Sequence, residues 1–240
     1  MKKNILKRSV CLLITFCIGF ACLPSIAGAY GTTSYTFNRA AAKDYVYTWI
    51  YGQDPHYGYG QLSTNDSTNF ASQVLHAGGV PFYDDGHGMV AWNYSLQVSA
   101  SWYLPNDFRS YFGDIDGVGE KKAYMMYKVS AYDLATISDA WDWLYNLIGG
   151  AGDIVQFCKN DGTTYHTQVV QRRSVNEGYV GEKKVSMAQH APDSLGGNNW
   201  INLKTYIQSS GYVNKNSIPN GGDWVILLKM SPESTTPDGM

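Results

Sequence analysis

A serine hydroxyl stands near the start of the best-defined helix that the sequence predicts. Residues 65–79 read NDSTNFASQVLHAGG and place Phe70 and Val74 on one face at helical spacing. Asp66 is a suitable N-cap, and the two final glycines end the helix. Ser67 therefore lies in the first turn, which points at whatever the protein binds.

This helix start resembles the motif Asp-Cys-Thr-Asn-Phe-Val-Ser-Gln of the putative amidase domain family. The resemblance places Ser67 where the family has its expected catalytic thiol, with Asp66, Asn69 and Gln73 as supporting motif residues. A thiolate is the reactive form of cysteine, and the partial positive charge and free N–H groups of a helix N-terminus lower the pKa of a thiol. The resemblance therefore implies a cysteine-hydrolase scaffold with serine at the nucleophile position.

The resemblance also implies roles for residues outside the helix. GDIVQF at residues 152–157 and YHTQVV at residues 165–170 are similar to two family strands. His166, in the second of them, is implied to be the base that faces the helix. His190, in QHAPDS, is implied to orient His166, with Asp193 as the alternative third member. Gln61 lies six residues before Ser67, where papain-like proteases place an oxyanion-hole amide; the backbone N–H of Ser67 is the other expected donor.

The family resemblance covers most of the chain, about residues 35–209, and includes FNRAAA at residues 37–42 and Ser101-Trp102. It implies the architecture of papain-like hydrolases of the NlpC/P60 and CHAP type, in which N-terminal helices pack on an antiparallel β-sheet. The order of predicted elements agrees with this, because helices come first and strands follow, as in an α+β fold.

The sequence pattern predicts three helices and three strands. The helices are expected at residues 37–51, 67–77 and 130–148, and the strands at residues 153–157, 165–172 and 184–190. In the first helix Ala41, Tyr45, Thr48 and Trp49 lie at helical spacing, and in the third Leu134, Trp141, Leu144 and Ile148 are expected to point inward. Residues 81–119 show no sustained period and are interpreted as an irregular insertion.

Serine at position 67 changes what the resemblance implies about activity. A hydroxyl is several pKa units less acidic than a thiol, so we expect a large loss of rate in a site that works through a thiolate. Three interpretations follow: a degenerate or very slow enzyme, an engineered Cys-to-Ser substitution, or a Ser–His hydrolase that uses general-base activation. The two functional hypotheses are a secreted amidase or peptidase acting on cell-wall peptide, and an inactive protein that binds such a peptide or a glycan.

The first 29 residues have the three parts of a secretory signal peptide: a basic start, an apolar run, and Ala27-Gly28-Ala29 as the cleavage site. We expect cleavage after Ala29, an extracellular protein, and no stable membrane insertion afterwards.

Residues 30–230 are expected to form one domain and residues 231–240 a disordered tail. Cys158 is then the one cysteine left, and the alternation of its strand favours a core or edge position over a nucleophile.

Composition excludes some classes of partner. A net charge of −2 with 16% charged residues and no basic stripe does not fit a nucleic-acid-binding protein.

Residues 114–119 match only the first half of a calcium loop, because its twelfth position falls on Met125, so we expect no metal site. We expect no cofactor, a monomer, and a cell-wall peptide or peptidoglycan-like substrate.

Overall fold

The computed structural model describes residues 27–30, 35–57, 66–84, 91–94, 98–113, 122–176, 182–190, 199–209, 211–235 and 238–239. The helices are α1 (Arg39–Trp49), α2 (Asp66–Ala77), α3 (Ala100–Tyr103), α4 (Pro105–Phe112), α5 (Ala131–Thr136), α6 (Ser138–Leu147) and α7 (Leu203–Ser209), with a 3-10 helix at Ile218–Asn220. The strands are β1 (Ala27–Tyr30), β2 (Tyr83–Asp84), β3 (Ala91–Trp92), β4 (Met125–Ser130), β5 (Ile154–Cys158), β6 (Thr164–Asn176), β7 (Glu182–Ala188), β8 (Trp200–Asn202), β9 (Trp224–Lys229) and β10 (Asp238–Gly239).

Eight strands form one sheet in the order β1-β4-β9-β5-β6-β7-β8, with β10 beside β6. Neighbours along this order pair antiparallel, whereas β10 pairs parallel with β6. Strands β2 and β3 form a separate two-stranded sheet. Helices packed on a mainly antiparallel sheet confirm the α+β class that the sequence predicted.

Helices cover both faces of the sheet. Ile154 and Cys158 of β5 define the front face, where they join the core formed with α1, α2, α3 and α4. Val155 and Phe157 define the back face, where they pack with α5, α6 and α7. Because successive strand residues point to opposite faces, β5 is buried along its whole length and not half-buried as its pattern suggested. Cys158 is 1% exposed and belongs to the core, as predicted.

Helix α1 begins after Asn38, whose side-chain oxygen accepts a hydrogen bond from the N–H of Ala41. Its buried row consists of Ala42 and Val46 and continues to Ile50, just beyond the helix. Of the residues found at helical spacing in the sequence, Tyr45 and Trp49 pack against the edge of this core. The helix turns its fully apolar side chains to the core and leaves the larger Tyr and Trp rings at the rim.

Two segments contain more structure than the sequence pattern predicted. Residues 81–119, expected to be irregular, include β2, β3, α3 and α4 in their described part. The single helix predicted at residues 130–148 is two helices, α5 and α6, because the backbone of Ile137 is extended between them. Ser130 caps α5 by accepting hydrogen bonds from the next turn. The predicted inward residues are all buried, namely Leu134, Trp141, Leu144 and Ile148.

The segment after β9 packs onto the fold through residues 231–235. Arg39 of α1 pairs with the fully buried Asp153 at 2.8 Å and donates a second hydrogen bond, at 3.1 Å, to the carbonyl oxygen of Glu233. Asp153 also accepts a hydrogen bond of 2.6 Å from the N–H of Gly149. The buried ion pair thus ties α1, β5 and the C-terminal segment together.

Strand β1 pairs antiparallel with β4 and contains the predicted cleavage site after Ala29. Residues 1–26 of the predicted leader lie outside the described residues. Among the helices of the described ranges, none has the length and apolar character needed to cross a membrane.

Candidate active site at the start of helix α2

Two threonine hydroxyls hold the start of α2 against the front face of the sheet. Thr68 Oγ1 lies 2.9 Å from Thr167 Oγ1 of β6. The side-chain amide of Gln156 donates to Thr167 Oγ1 at 3.0 Å, so the Thr167 hydroxyl proton is available for Thr68. This anchor keeps Ser67, which is 9% exposed, in the first turn beside the sheet. The helix begins at Asp66, so Asp66 belongs to the first turn and is not the cap that the sequence suggested.

His190, two residues after β7, contacts the helix start directly. Its Nδ1 lies 2.7 Å from Asp66 Oδ2, and its Nε2 lies 2.9 Å from the carbonyl oxygen of Trp49. The imidazole stacks on Phe70, with ring centroids 4.0 Å apart. An ionised carboxylate and a carbonyl can only accept hydrogen bonds, so a ring with protons on both nitrogens satisfies both contacts. His190 is therefore bound to the helix motif and does not orient His166 as the resemblance implied.

Asn69 and Trp102 support the other side of the Asp66 carboxylate. Trp102 Nε1 donates to Asn69 Oδ1 at 2.7 Å, and because an indole N–H only donates, this contact fixes the orientation of the Asn69 amide. Asn69 Nδ2 then donates to Asp66 Oδ1 at 3.1 Å. Burial raises the pKa of Asp66, but the hydrogen bond and charge of His190 and the hydrogen bond of Asn69 outweigh burial, and the pKa lies below its ordinary value. Asp66 is therefore a carboxylate at neutral pH.

Gln73, the last residue of the motif, serves the packing of α2 and lies two turns from the tip. Its Oε1 accepts a hydrogen bond of 2.8 Å from the Tyr45 hydroxyl of α1. Burial, and then the nearby charge of Asp54, raise the pKa of Tyr45, so its hydroxyl remains protonated and can donate. This contact sets the spacing between α1 and α2, the two helices that hold His190 between them.

His166 lies on the back face of the sheet, which contradicts the prediction that its ring faces α2. Side chains alternate along β6, and Thr167 occupies the front-facing position, so His166 points away from the helix. Its ring packs near Phe157 and Tyr206, with centroid distances of 6.2 and 6.1 Å. No hydrogen bond joins His166 to Ser67 within the described residues.

Gln189 and Gln168 complete a polar cluster around His166 on the back face. Gln189 Oε1 lies 2.5 Å from His166 Nε2 and accepts a 2.8 Å hydrogen bond from Gln168 Nε2. Burial lowers the pKa of His166, and the hydrogen bond to Gln189 offsets only part of this effect, so the ring is neutral with its proton on Nε2. Sequence reasoning missed this cluster, although strand alternation places the adjacent Gln189 and His190 on opposite faces.

Gln61 and Asp193, the remaining predicted site residues, lie outside the described residues, as do residues 114–119 with their partial calcium-loop pattern. Within the part of the chain that the structure describes, no group of three or more His, Cys, Asp or Glu side chains could hold a metal ion. The described helix start presents a hydroxyl, a carboxylate and an imidazole, from Ser67, Asp66 and His190.

A groove of about 360 Å³ opens near this site on the front face. Asn199 Nδ2 donates to the carbonyl oxygen of Ile50, which joins the start of β8 to the end of α1, where His190 contacts Trp49. The lining residues come from α1, β6, β7 and β8 and include Tyr47, Arg172 and Trp200. A second groove, of about 700 Å³, lies at the turn between β5 and β6 and includes Lys159 and Tyr212.

The fold and the helix start together define an α+β domain with the group types that hydrolytic enzymes use. The chain belongs to the putative amidase domain family, whose model matches residues 36–214. This match contains α1 to α7 and β2 to β8, whereas the central strand β9 lies beyond it. A search of curated proteins and a search of solved structures each gave no match. Family membership connects the domain with the hydrolysis of amide bonds.

Proposed function

We propose that this protein is a secreted amide hydrolase that acts on cell-wall peptide, and that serine at position 67 makes the reaction slow. The observation that carries the proposal is the double contact of His190 with Asp66 and with the carbonyl oxygen of Trp49. It holds an imidazole at the start of α2, against the residue that precedes Ser67. The family match supports the type of bond, and the basic and apolar leader pattern supports export.

The proposed reaction follows the papain-like scheme, in which the nucleophile opens a helix that packs on a sheet. The first N–H groups of a helix have no partner within the helix, so those at the start of α2 can stabilise the negative oxygen of a tetrahedral intermediate. The backbone N–H of Ser67 is the main donor in this proposal. Gln61 is the proposed side-chain donor, on the basis of its spacing from Ser67.

His190 takes the place of His166 as the proton-transfer residue in this proposal, and Asp66 takes the place of the third member. His166 is unsuited because its ring lies on the back face. Both nitrogens of His190 face acceptors, so the ring has to give up one of these two contacts before it can take the proton of a serine hydroxyl. A thiolate at position 67 would need no such proton transfer, and the low rate of serine follows.

Binding of a cell-wall peptide or glycan without cleavage is the second candidate function. It is favoured by one observation: within the described residues, Ser67 has no hydrogen-bond partner for its hydroxyl, so no general base contacts it. An inactive protein of this kind would still use the groove lined by Tyr47 and Trp200.

Replacement of Ser67 tests the two functions against each other. Release of new amines would be measured from purified peptidoglycan and from small amide substrates, with wild-type protein and with Ser67→Cys and Ser67→Ala. We expect slow release by wild-type protein, none by Ser67→Ala, and a rate roughly 10²-fold or more higher for Ser67→Cys, because a thiolate needs no base.

A thiol elsewhere on the surface is the matched control. Ser110 on α4 is exposed, so Ser110→Cys adds a reactive thiol away from the helix start and should leave the slow wild-type rate unchanged. Activity in none of the proteins, with binding to peptidoglycan retained, would replace the hydrolase with the binding function. Equal activity of wild-type protein and Ser67→Cys would exclude the thiolate scheme.

A further inference from the structure

We infer that the groove between α1 and strands β6 to β8 binds the free carboxylate of a peptide, with Arg172 as its cation. This inference rests on the proposed function, because it identifies the part of an amide substrate that lies in the groove. Arg172 supplies the charge, the rings of Tyr47 and Trp200 form a wall, and Ser186 and Asn202 add neutral polar groups.

Arg172 is the first reason for this assignment. Its Nε is buried without a hydrogen-bond partner, and no ion pair or hydrogen bond engages its guanidinium in the described chain. The adjacent Arg173 points to the back face and donates to the carbonyl oxygens of Tyr145 and Thr235. No acidic side chain is among the described residues that line the groove. An unpaired guanidinium in such a groove is suited to an anion, and its planar fork matches a carboxylate.

The aromatic wall beside Arg172 is the second reason. The rings of Tyr47 and Trp200 have centroids 5.6 Å apart, and Tyr51 lies 6.5 Å from Trp200 on the other side. Tyr47 and Tyr51 are 51% and 75% exposed, so both rings are accessible to a ligand. Gln171 donates a hydrogen bond to the Tyr47 hydroxyl, which holds that ring at the groove. Flat peptide groups can pack on such a wall while the carboxylate reaches the cation.

The position of the groove relative to His190 sets the length of the peptide. Arg172 pairs across the ladder with Ser186, and His190 follows four residues later along the same direction of chain. At about 3.3 Å per residue this separates the cation from the helix-start site by roughly 13 Å. An extended peptide covers that distance with about four residues. The amide that is cleaved would thus lie about four residues from a free C-terminus.

Two probes on the wild-type chain test this inference without any substitution. An N-acetylated tetra-alanine with a free carboxylate and the same peptide ending in a carboxamide would be titrated into the protein by calorimetry. We expect the free acid to bind about tenfold more tightly, because a charge-assisted contact to a guanidinium is lost in the amide. Equal affinity for the two peptides would overturn the inference.

Variants in the two grooves then locate the contact. Arg172→Gln should reduce binding of the free acid to the level of the amide, while near-ultraviolet circular dichroism shows that the fold is intact. Lys159→Gln removes one positive charge from the other groove and should leave the preference for the acid unchanged. Loss of the preference in Lys159→Gln but not in Arg172→Gln would place the carboxylate elsewhere and overturn the assignment.

Binding in Ser67→Ala separates this inference from the proposed function. A preference for the free acid in that variant, with no hydrolysis by any protein of the series, would remove the hydrolase and keep the carboxylate site. Hydrolysis by Ser67→Cys without any preference for the free acid would keep the hydrolase and remove the carboxylate site.

Discussion

Asp66 Oδ2 lies 2.7 Å from His190 Nδ1, a contact between positions 124 residues apart in the chain. It joins the first turn of α2 to the segment after β7, and Asn69 holds the second carboxylate oxygen. The stability of the helix start and the chemistry of the candidate site therefore depend on the same carboxylate.

Asp66→Asn should lower the free energy of unfolding by about 1–2 kcal/mol at pH 7, because the charge-assisted bond to His190 is lost. The Asp66 side chain is 25% exposed, so the loss is smaller than for a fully buried pair. Urea denaturation followed by circular dichroism measures the difference. Asp139→Asn, on the exposed side of α6, is the control and should change stability by less than about 0.5 kcal/mol.

The stabilising effect of Asp66 should disappear in acid. The pKa of Asp66 in the folded protein is below its ordinary value of 3.8, so the carboxylate contributes its full effect above that pH and loses it as the pH falls through the folded pKa. Denaturation of wild-type protein and Asp66→Asn at pH 7, 5 and 3 would show this. The difference in stability should be smaller at pH 3 than at pH 5, and a difference that grows between pH 5 and pH 3 would contradict the lowered pKa of Asp66.

His190 and His166 should respond differently to substitution in the Ser67→Cys background. His190→Gln should reduce amine release by roughly 10²-fold or more, because the imidazole at the helix start, which transfers the proton in this scheme, is removed. His166→Gln changes a neutral side chain on the back face and should leave the rate within a few-fold, provided that the protein stays folded. Loss of activity only in His166→Gln would restore the prediction that His166 is the base.

Asp153→Ala should be the most damaging single change outside the site, at about 3–5 kcal/mol, because Arg39 would be left buried without its partner. Arg39→Met introduced together with Asp153→Ala should recover part of this loss. A double-mutant cycle by urea denaturation gives the coupling energy. Additive losses from the two substitutions would show that the pair is not coupled.

The sequence predicted the elements that carry the site more accurately than the directions of their side chains. The start of α2 and strands β5, β6 and β7 were located within a few residues because their apolar periods are regular. The motif did not give the direction of the His166 side chain. Thr167 faces α2 and His166 faces the back of the sheet, and a change of one residue in the assumed alternation reverses every side chain of a strand.

Two other elements differ from the prediction. Helices α5 and α6 separate at Ile137, whose backbone is extended although neither glycine nor proline marks a break there. Strand β9 was missed although WVILL is a continuous apolar run of the kind that fully buried strands show. Its partners, β4 and β5, are distant in sequence, and no local pattern indicates them.

The central place of β9 also constrains the order of folding. Strands β4 and β5 are joined in the sheet only through β9, which begins at residue 224. A growing chain that has not reached this point leaves two apolar strand edges open and cannot complete either core. Such late, long-range pairing slows folding and exposes unpaired edges to association. We therefore expect the nascent chain to remain unfolded until nearly all of it is available.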